Sequence, residues 1–331
     1  MKINKTNDNF VPKYCKKTVS GNITEFTEMS CSPSAPPVRK ISQSQYVNIN
    51  SGEVCDYNRS SARSDNLDSL RKTFKRIREL INTNCTIPQN LHWVTLTYAD
   101  NVTDTKTVYK DFDIFRKRFY RYCDKIGRNR PEYIAVLEPQ ARGAWHIHLI
   151  LIWDNKRPYI DNNSTFAPMW GHGFTKIQSC PNSDNLGAYL SAYLGDVPVT
   201  EYSGDVTKAQ IKTVKGKRYV KGGRLSLYPV GTNIVRHSKG IKKPTSTVVP
   251  VGEVAKVKAS SGKLTFTRTL VVSSDDTVSV GSGKSPDIYI RHSYYNTKRA
   301  KSQVEKLIEK ALAVGLAVEL LLLLSVLSLA V

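Results

Sequence analysis

Trp145-His146-Ile147-His148-Leu149-Ile150-Leu151-Ile152 is an apolar, β-branched run that reads as a buried strand. Side chains alternate along a strand, so His146 and His148 leave it on one face, about 7 Å apart along the backbone. Ile147, Leu149 and Leu151 point to the opposite, dry face. Two imidazoles so placed can grip one metal ion. Without further ligands, the same pair is an ordinary couple of core or surface histidines.

A second apolar run, Tyr133-Ile134-Ala135-Val136-Leu137-Glu138, comes just before it. Between the two, Pro139-Gln140-Ala141-Arg142-Gly143-Ala144 carries the Pro and Gly of a turn. An antiparallel hairpin turning near Arg142 sets Glu138 opposite His146. A one-residue slip in register would move the carboxylate to the wrong face. One carboxylate and two imidazoles leave coordination positions open, which suits a divalent ion that must also bind a substrate phosphate. Further on, Ser183 or Asp184 can N-cap a short helix ending near Gly195. Tyr189 and Tyr193 are four apart on it, one turn from each other on one face. Tyrosines at that spacing are usually packing residues. Beside a metal site they become candidate nucleophiles.

Taken together, Glu138, His146, His148 and the Tyr189-x-x-x-Tyr193 helix resemble the HUH endonucleases, and more narrowly the rolling-circle replication initiator (Rep) proteins of bacterial plasmids and phages. The family's first motif is matched by His92-Trp93-Val94-Thr95-Leu96-Thr97-Tyr98, its second by Arg142-Gly143-Ala144-Trp145-His146-Ile147-His148, and its third by the tyrosine helix. Order and separations agree over roughly residues 55–300. The resemblance implies a divalent ion (Mg²⁺ or Mn²⁺) on Glu138, His146 and His148, and single-strand nicking and joining of DNA through a covalent 5′-phosphotyrosine. It implies Tyr193 as the initiating nucleophile and Tyr189 for a second transfer. His172 and His92 are the replacement ligands to consider.

Charge agrees with such a partner. Lys and Arg number 49 against 28 Asp and Glu, a formal charge of +21 that favours polyanions. From Lys208 to Lys243 there are eleven basic residues and no acidic one, interrupted by Tyr219 and Tyr228. Basic residues with interleaved aromatics suit a groove that tracks phosphates and stacks exposed bases. Lys208, Lys212, Lys215, Lys217, Arg218, Tyr219, Lys221 and Arg224 are the candidate DNA contacts; the plain alternative is a solvated basic face. A second basic run, Arg71 to Arg78, has Leu70, Phe74, Ile77 and Ile81 at helical spacing, an amphipathic helix with a basic outer face.

The order strand, helix, hairpin, strand, helix predicts an α+β domain, an antiparallel sheet flanked by helices. The resemblance implies the same sheet, the HUH fold derived from a ferredoxin-like arrangement. Residues 1–55 read as a flexible polar lead-in, 56–245 as the nicking and DNA-binding domain, and 246–300 as a β-rich extension with Leu264–Val272 its clearest strand. Residues 301–331 read as an apolar C-terminal helix. Within it, Ala311 to Val331 carries Glu319 as its sole charge, behind Lys298, Arg299, Lys301, Lys306 and Lys310. Length and flanking charge fit a membrane anchor with the main domain in the bacterial cytoplasm; the charge at mid-span favours a helix buried against protein instead. Six scattered cysteines without Cys-x-x-Cys point to a reducing, intracellular setting. Gly281-Ser282-Gly283-Lys284-Ser285 lacks the glycine of a phosphate-binding loop, because Val278 stands in its place. No nucleotide hydrolysis is expected, so strand separation falls to a host helicase or supercoiling, and the freed 3′ end to a host DNA polymerase. The partner DNA is then a single-stranded or supercoiled origin. A related transposase or relaxase, a non-enzymatic DNA-binding protein and a membrane protein with a basic cytoplasmic domain are the competing classes.

Overall fold

The computed structural model describes residues 10–33, 38–42, 44–57, 67–140, 143–202, 204–214, 216–229, 231–272 and 287–298. The chain divides into two compact units, residues 57–243 and residues 1–56 with 244–331.

In the 57–243 unit, five strands form an antiparallel sheet in the order Val235–His237, Glu132–Pro139, Trp145–Ile152, Leu91–Thr97, Thr175–Ser179. The two central strands are covered on both faces, which is why the His strand is a nearly continuous apolar run. Its hairpin closes as the spacing requires. Gln140 N–H donates to Ala144 O at 2.8 Å and Gly143 N–H to Gln140 O at 2.9 Å. Gly143 supplies the positive φ of 89° that a side chain would strain. The resulting register pairs Glu138 with His146, Val136 with His148, and Pro139 with Trp145. From the other side, Thr97 faces His146 and Thr95 faces His148.

Helices cover the two faces. The helix Thr105–Lys125 starts at Asp104, whose carboxylate accepts from Lys106 N–H and Thr107 N–H, and buries a stripe of Val108, Phe112, Phe115, Phe119 and Cys123. Phe112 meets Tyr133, on the face opposite the histidines, with ring centroids 5.5 Å apart. Each buried phenylalanine contributes roughly 1.5–3 kcal/mol of burial. On the histidine face, the helix Leu186–Gly195 lays Tyr189 against Trp93 and packs on the helix Leu67–Asn84. Leu70, Ile77 and Ile81 are fully buried and Phe74 packs beside them, the stripe read from the sequence. Sequence spacing suggests a fourth strand at 173–177; it runs Thr175–Ser179, because Phe174 and His172 lend backbone groups to Thr97 and Ala99 first.

The other unit departs from the composition-based reading. Residues 14–29, taken there as part of a flexible lead-in, form the strands Tyr14–Ser20 and Ile23–Met29, joined by Gly21-Asn22 with Gly21 at φ 56°. Thr, Val, Ile and Phe in this stretch favour pleated structure, and Cys15 and Phe26 are fully buried. With Thr245–Val248, Lys263–Val272 and Ile288–Asn296 they complete an antiparallel five-stranded sheet. The β-rich extension is thus one part of a sheet whose other strands come from the N-terminal residues. Glu28 lies within it; burial raises its carboxyl, but hydrogen bonds from Arg291 and Lys258 outweigh that and hold it below the usual range.

Among the described residues, no helix is long and apolar enough to cross a membrane. The apolar segment 301–331 and the loop at 281–285 lie outside the described residues. All six cysteines are free thiols.

Candidate metal centre and tyrosine helix

Glu138, His146 and His148 converge. Each offers one ligand atom, and the three atoms lie within 4.8 Å of one another. Glu138 Oε2 contacts His148 Nε2 directly and is 4.0 Å from His146 Nδ1. His148 Nδ1 faces Thr95 Oγ1 at 3.5 Å. The carboxylate and His148 are buried, whereas the His146 side chain is 20% exposed, so the cluster opens towards solvent beside His146. Burial by itself raises the Glu138 carboxyl. The hydrogen bond with His148, and then the charges of His148, Arg224 and His146, more than reverse that and keep it ionised.

The two replacement histidines stand elsewhere. His92 lies across from Leu151, on the face away from the cluster, and its Nδ1 accepts from Trp153 Nε1–H at 3.1 Å. His172 stands 3.7 Å from Asp111 and against Tyr98 and Trp170.

The tyrosine helix is held to the sheet by contacts that sequence spacing does not reveal. Asn185 caps it, its Oδ1 accepting from Ala188 N–H at 3.1 Å; Ser183, one of the two caps expected, instead accepts from Asn185 N–H at 3.3 Å. A Thr, Ser, Asp or Asn cap needs only to sit three residues before its donor, and four polar residues in a row made the choice ambiguous. Asn82, buried in the neighbouring helix, donates to Asn185 Oδ1 at 2.9 Å and accepts from Gly187 N–H at 2.8 Å. The Tyr189 ring meets Trp93 edge-on with centroids 5.9 Å apart, and Trp93 meets His148 in the same manner at 6.4 Å. Tyr189 is half exposed. Tyr193 belongs to the same helix; its side chain lies outside the described residues.

Of the basic candidates, Lys212, Lys217, Arg218 and Tyr219 lie on an antiparallel hairpin, Ile211–Val214 with Lys217–Val220. Lys217 and Tyr219 share one face with Lys212, and Lys217, Arg218 and Lys221 are exposed. Lys212 pairs with Asp196. Lys215 and the Lys208 side chain lie outside the described residues. Two readings change. Tyr228, interleaved in the basic stretch, is buried and donates its hydroxyl to Leu137 O at 2.9 Å, because the chain has there returned to the Glu strand. Arg224 turns inward as well, its Nη1 2.6 Å from Glu138 Oε1.

Residues 91–197, spanning all these elements from the first motif strand through the tyrosine helix, match the family model of replication-associated proteins of the ORF2 type. The chain resembles rolling-circle replication initiators. A curated relative, the Phasyl DNA replicon protein arp of Escherichia coli, is 23% identical over 128 residues, 32% of this chain and 43% of the relative. The chain thus spans less than half of that relative's length. No solved structure matches it. The replication-initiator resemblance, with its plasmid and phage setting, rests on the segment that carries the Glu138, His146 and His148 cluster.

Proposed function

We propose that the chain initiates rolling-circle DNA replication by nicking and rejoining one strand of origin DNA through a tyrosine, with the HUH arrangement of sheet and ligands. The observation that carries this reading is the convergence of Glu138, His146 and His148 beside a helix whose Tyr189 reaches them through Trp93. A buried carboxylate between two imidazoles on central strands is a donor set of one oxygen and two nitrogens. It fits a divalent ion, and the two imidazoles favour Mn²⁺ over Mg²⁺. Such an ion supplies a positive charge that offsets the charge developing on the scissile phosphate.

The residues of the chain do the rest. Glu138, kept ionised, presents Oε2 between the histidines, and the open side at His146 admits substrate. A tyrosine phenol in water loses its proton only near pH ~10, so at neutral pH it is a weak nucleophile until that proton is removed. Its oxygen attacks phosphorus, the P–O3′ bond breaks, and the leaving 3′ oxygen takes up a proton. The 5′ phosphate stays on the tyrosine. One phosphodiester replaces another, so the later joining step needs no ATP, and the free 3′ end primes a polymerase. Tyr193 is assigned the first attack and Tyr189, one turn earlier, the second. Lys217, Tyr219 and Lys221 offer exposed charge and a ring to a single strand. The setting is the bacterial cytoplasm, with host helicase and polymerase as partners.

Incubation with single-stranded and supercoiled DNA carrying the cognate origin, plus Mn²⁺, tests the proposal. A covalent protein–DNA adduct on a peptide containing Tyr189 and Tyr193 is expected, with DNA closed into circles as a second product. An adduct on another residue, or DNA binding with no adduct, ends the reading; the second outcome leaves a non-enzymatic DNA-binding protein.

A further inference from the structure

Arg224 makes contacts in three directions. Its Nη1 donates to Glu138 Oε1 and, at 3.3 Å, to Pro139 O, where the Glu strand ends. Its Nε donates to Asp196 O at 2.9 Å, immediately after the tyrosine helix. Its backbone N–H donates to Gly195 O, the last residue of that helix, at 3.1 Å. The loop that carries it is itself pinned, because the Asp196 carboxylate accepts from Gly222 N–H at 2.8 Å and pairs with Lys212 of the basic hairpin. With only 14% of its side chain exposed, Arg224 has little surface left for DNA.

We infer that Arg224 is a positioning residue that fixes Glu138 as a one-oxygen ligand and ties the end of the tyrosine helix to it. The inference rests on the proposed function for the meaning of the cluster, and on the contacts alone for the clamp. Oε1 is occupied by the guanidinium, so Oε2 is the oxygen turned to His146 and His148. The planar fork of arginine is what allows one side chain to serve Glu138 and Asp196 together. A lysine carries the same charge but a single nitrogen, and cannot meet both. Charge alone therefore does not satisfy the site. Because Lys212 and Arg224 meet through Asp196, the hairpin proposed to hold DNA, the tyrosine helix and the metal carboxylate are linked by four side chains.

The test compares R224Q and R224K with the wild-type protein, each checked for a cooperative melt. Mn²⁺ affinity by calorimetry should fall more than fivefold in both variants, since Oε1 of a buried carboxylate loses its matched donor. Hydrogen exchange at the C-terminal end of the tyrosine helix should quicken at least tenfold in both without metal or DNA, while the helix Leu67–Asn84 stays protected. The Co²⁺ absorption spectrum should shift in both, as Oε1 becomes free to coordinate. Rescue by R224K shows that charge suffices and overturns the clamp. So does an affinity loss below twofold, or tighter binding, in R224Q. A change confined to DNA affinity and its salt dependence also overturns it, because Arg224 is then a DNA contact. If R224Q does not fold, R224K decides alone. If the wild-type protein neither binds Mn²⁺ nor forms an adduct, the proposed function fails, and the exchange data still judge the clamp.

Discussion

At the residue scale, the cluster depends on alternation. His146 and His148 share a face because one residue separates them, and Glu138 joins them because the hairpin register is the one that pairs it with His146. His146→Ala and His148→Ala should each weaken Mn²⁺ binding by more than the roughly 10–100-fold typical of changes outside the ligand set. Glu138→Gln should weaken it too, and calorimetry measures all three. His92 gives a pH prediction of a different kind. Burial, with the charge of Arg157 adding to it, lowers its pKa from 6.5 to about 4, against the opposing hydrogen bond to the Pro158 carbonyl. The folded state therefore holds His92 neutral, while the unfolded chain takes up a proton as pH falls below 6.5. Stability from this group is complete above that value and is lost as pH falls towards about 4. Melting of His92→Gln and wild-type protein across this window should differ in slope by up to ~1 kcal/mol per pH unit, the limit for one linked proton. Equal slopes would show that His92 does not titrate in the unfolding reaction.

At the element scale, the tyrosine helix depends on close approach. A Cβ placed on Gly187 would sit 2.2 Å from the Arg78 carbonyl oxygen, a backbone atom that cannot swing aside. Gly187→Ala should cost about 1–3 kcal/mol by forcing the two helices apart. Asn82→Leu removes the partner of Gly187 N–H and should cost about 1–3 kcal/mol for the unmade hydrogen bond. Denaturant titration reads both, and nicking should fall further than stability predicts if the helix position governs attack. Phenylalanine in place of Tyr189 keeps the edge-on contact with Trp93 and removes only the hydroxyl. Tyr189→Phe should then still form the first adduct but not complete the second transfer, while Tyr193→Phe should form none. Peptide mapping that finds DNA on Tyr189 alone reverses that order.

At the scale of the whole molecule, net charge of +21 argues for an anionic partner, and the hairpin Ile211–Val214 with Lys217–Val220 gives that charge a surface. Neutralising Lys217, Arg218 and Lys221 together should flatten the plot of log affinity against log salt by about 2, since each single-strand phosphate contact contributes roughly 0.7. An unchanged slope would mean that these charges face only solvent. The division into two units has its own consequence. The strands Tyr14–Ser20 and Ile23–Met29 lie between Thr245–Val248 and Ile288–Asn296 in one sheet. Removing residues 1–30 should therefore unfold that sheet, which a truncation and a melting curve would show, rather than trim a loose end.

Local pattern carried the strands and their central pairing. A β-branched run, a turn with Pro and Gly, and a stripe every three to four residues are short-range signals, and here they placed the Glu138 and His146 register, the two long helices and the tyrosine helix. The pair Gly21-Asn22 was an equally local hairpin signal, masked by the polar composition around it. What the chain alone could not show is set by contacts distant in sequence. Arg224 looks like any other member of a basic stretch until the loop after the hairpin folds back on Glu138, 86 residues earlier. Asn82 reads as a polar residue near a helix end until Gly187, 105 residues later, brings a backbone N–H to it. Charge and polarity along a chain say what a side chain can pair with. Only the packed structure, by burying some groups and leaving others wet, decides which partner it takes.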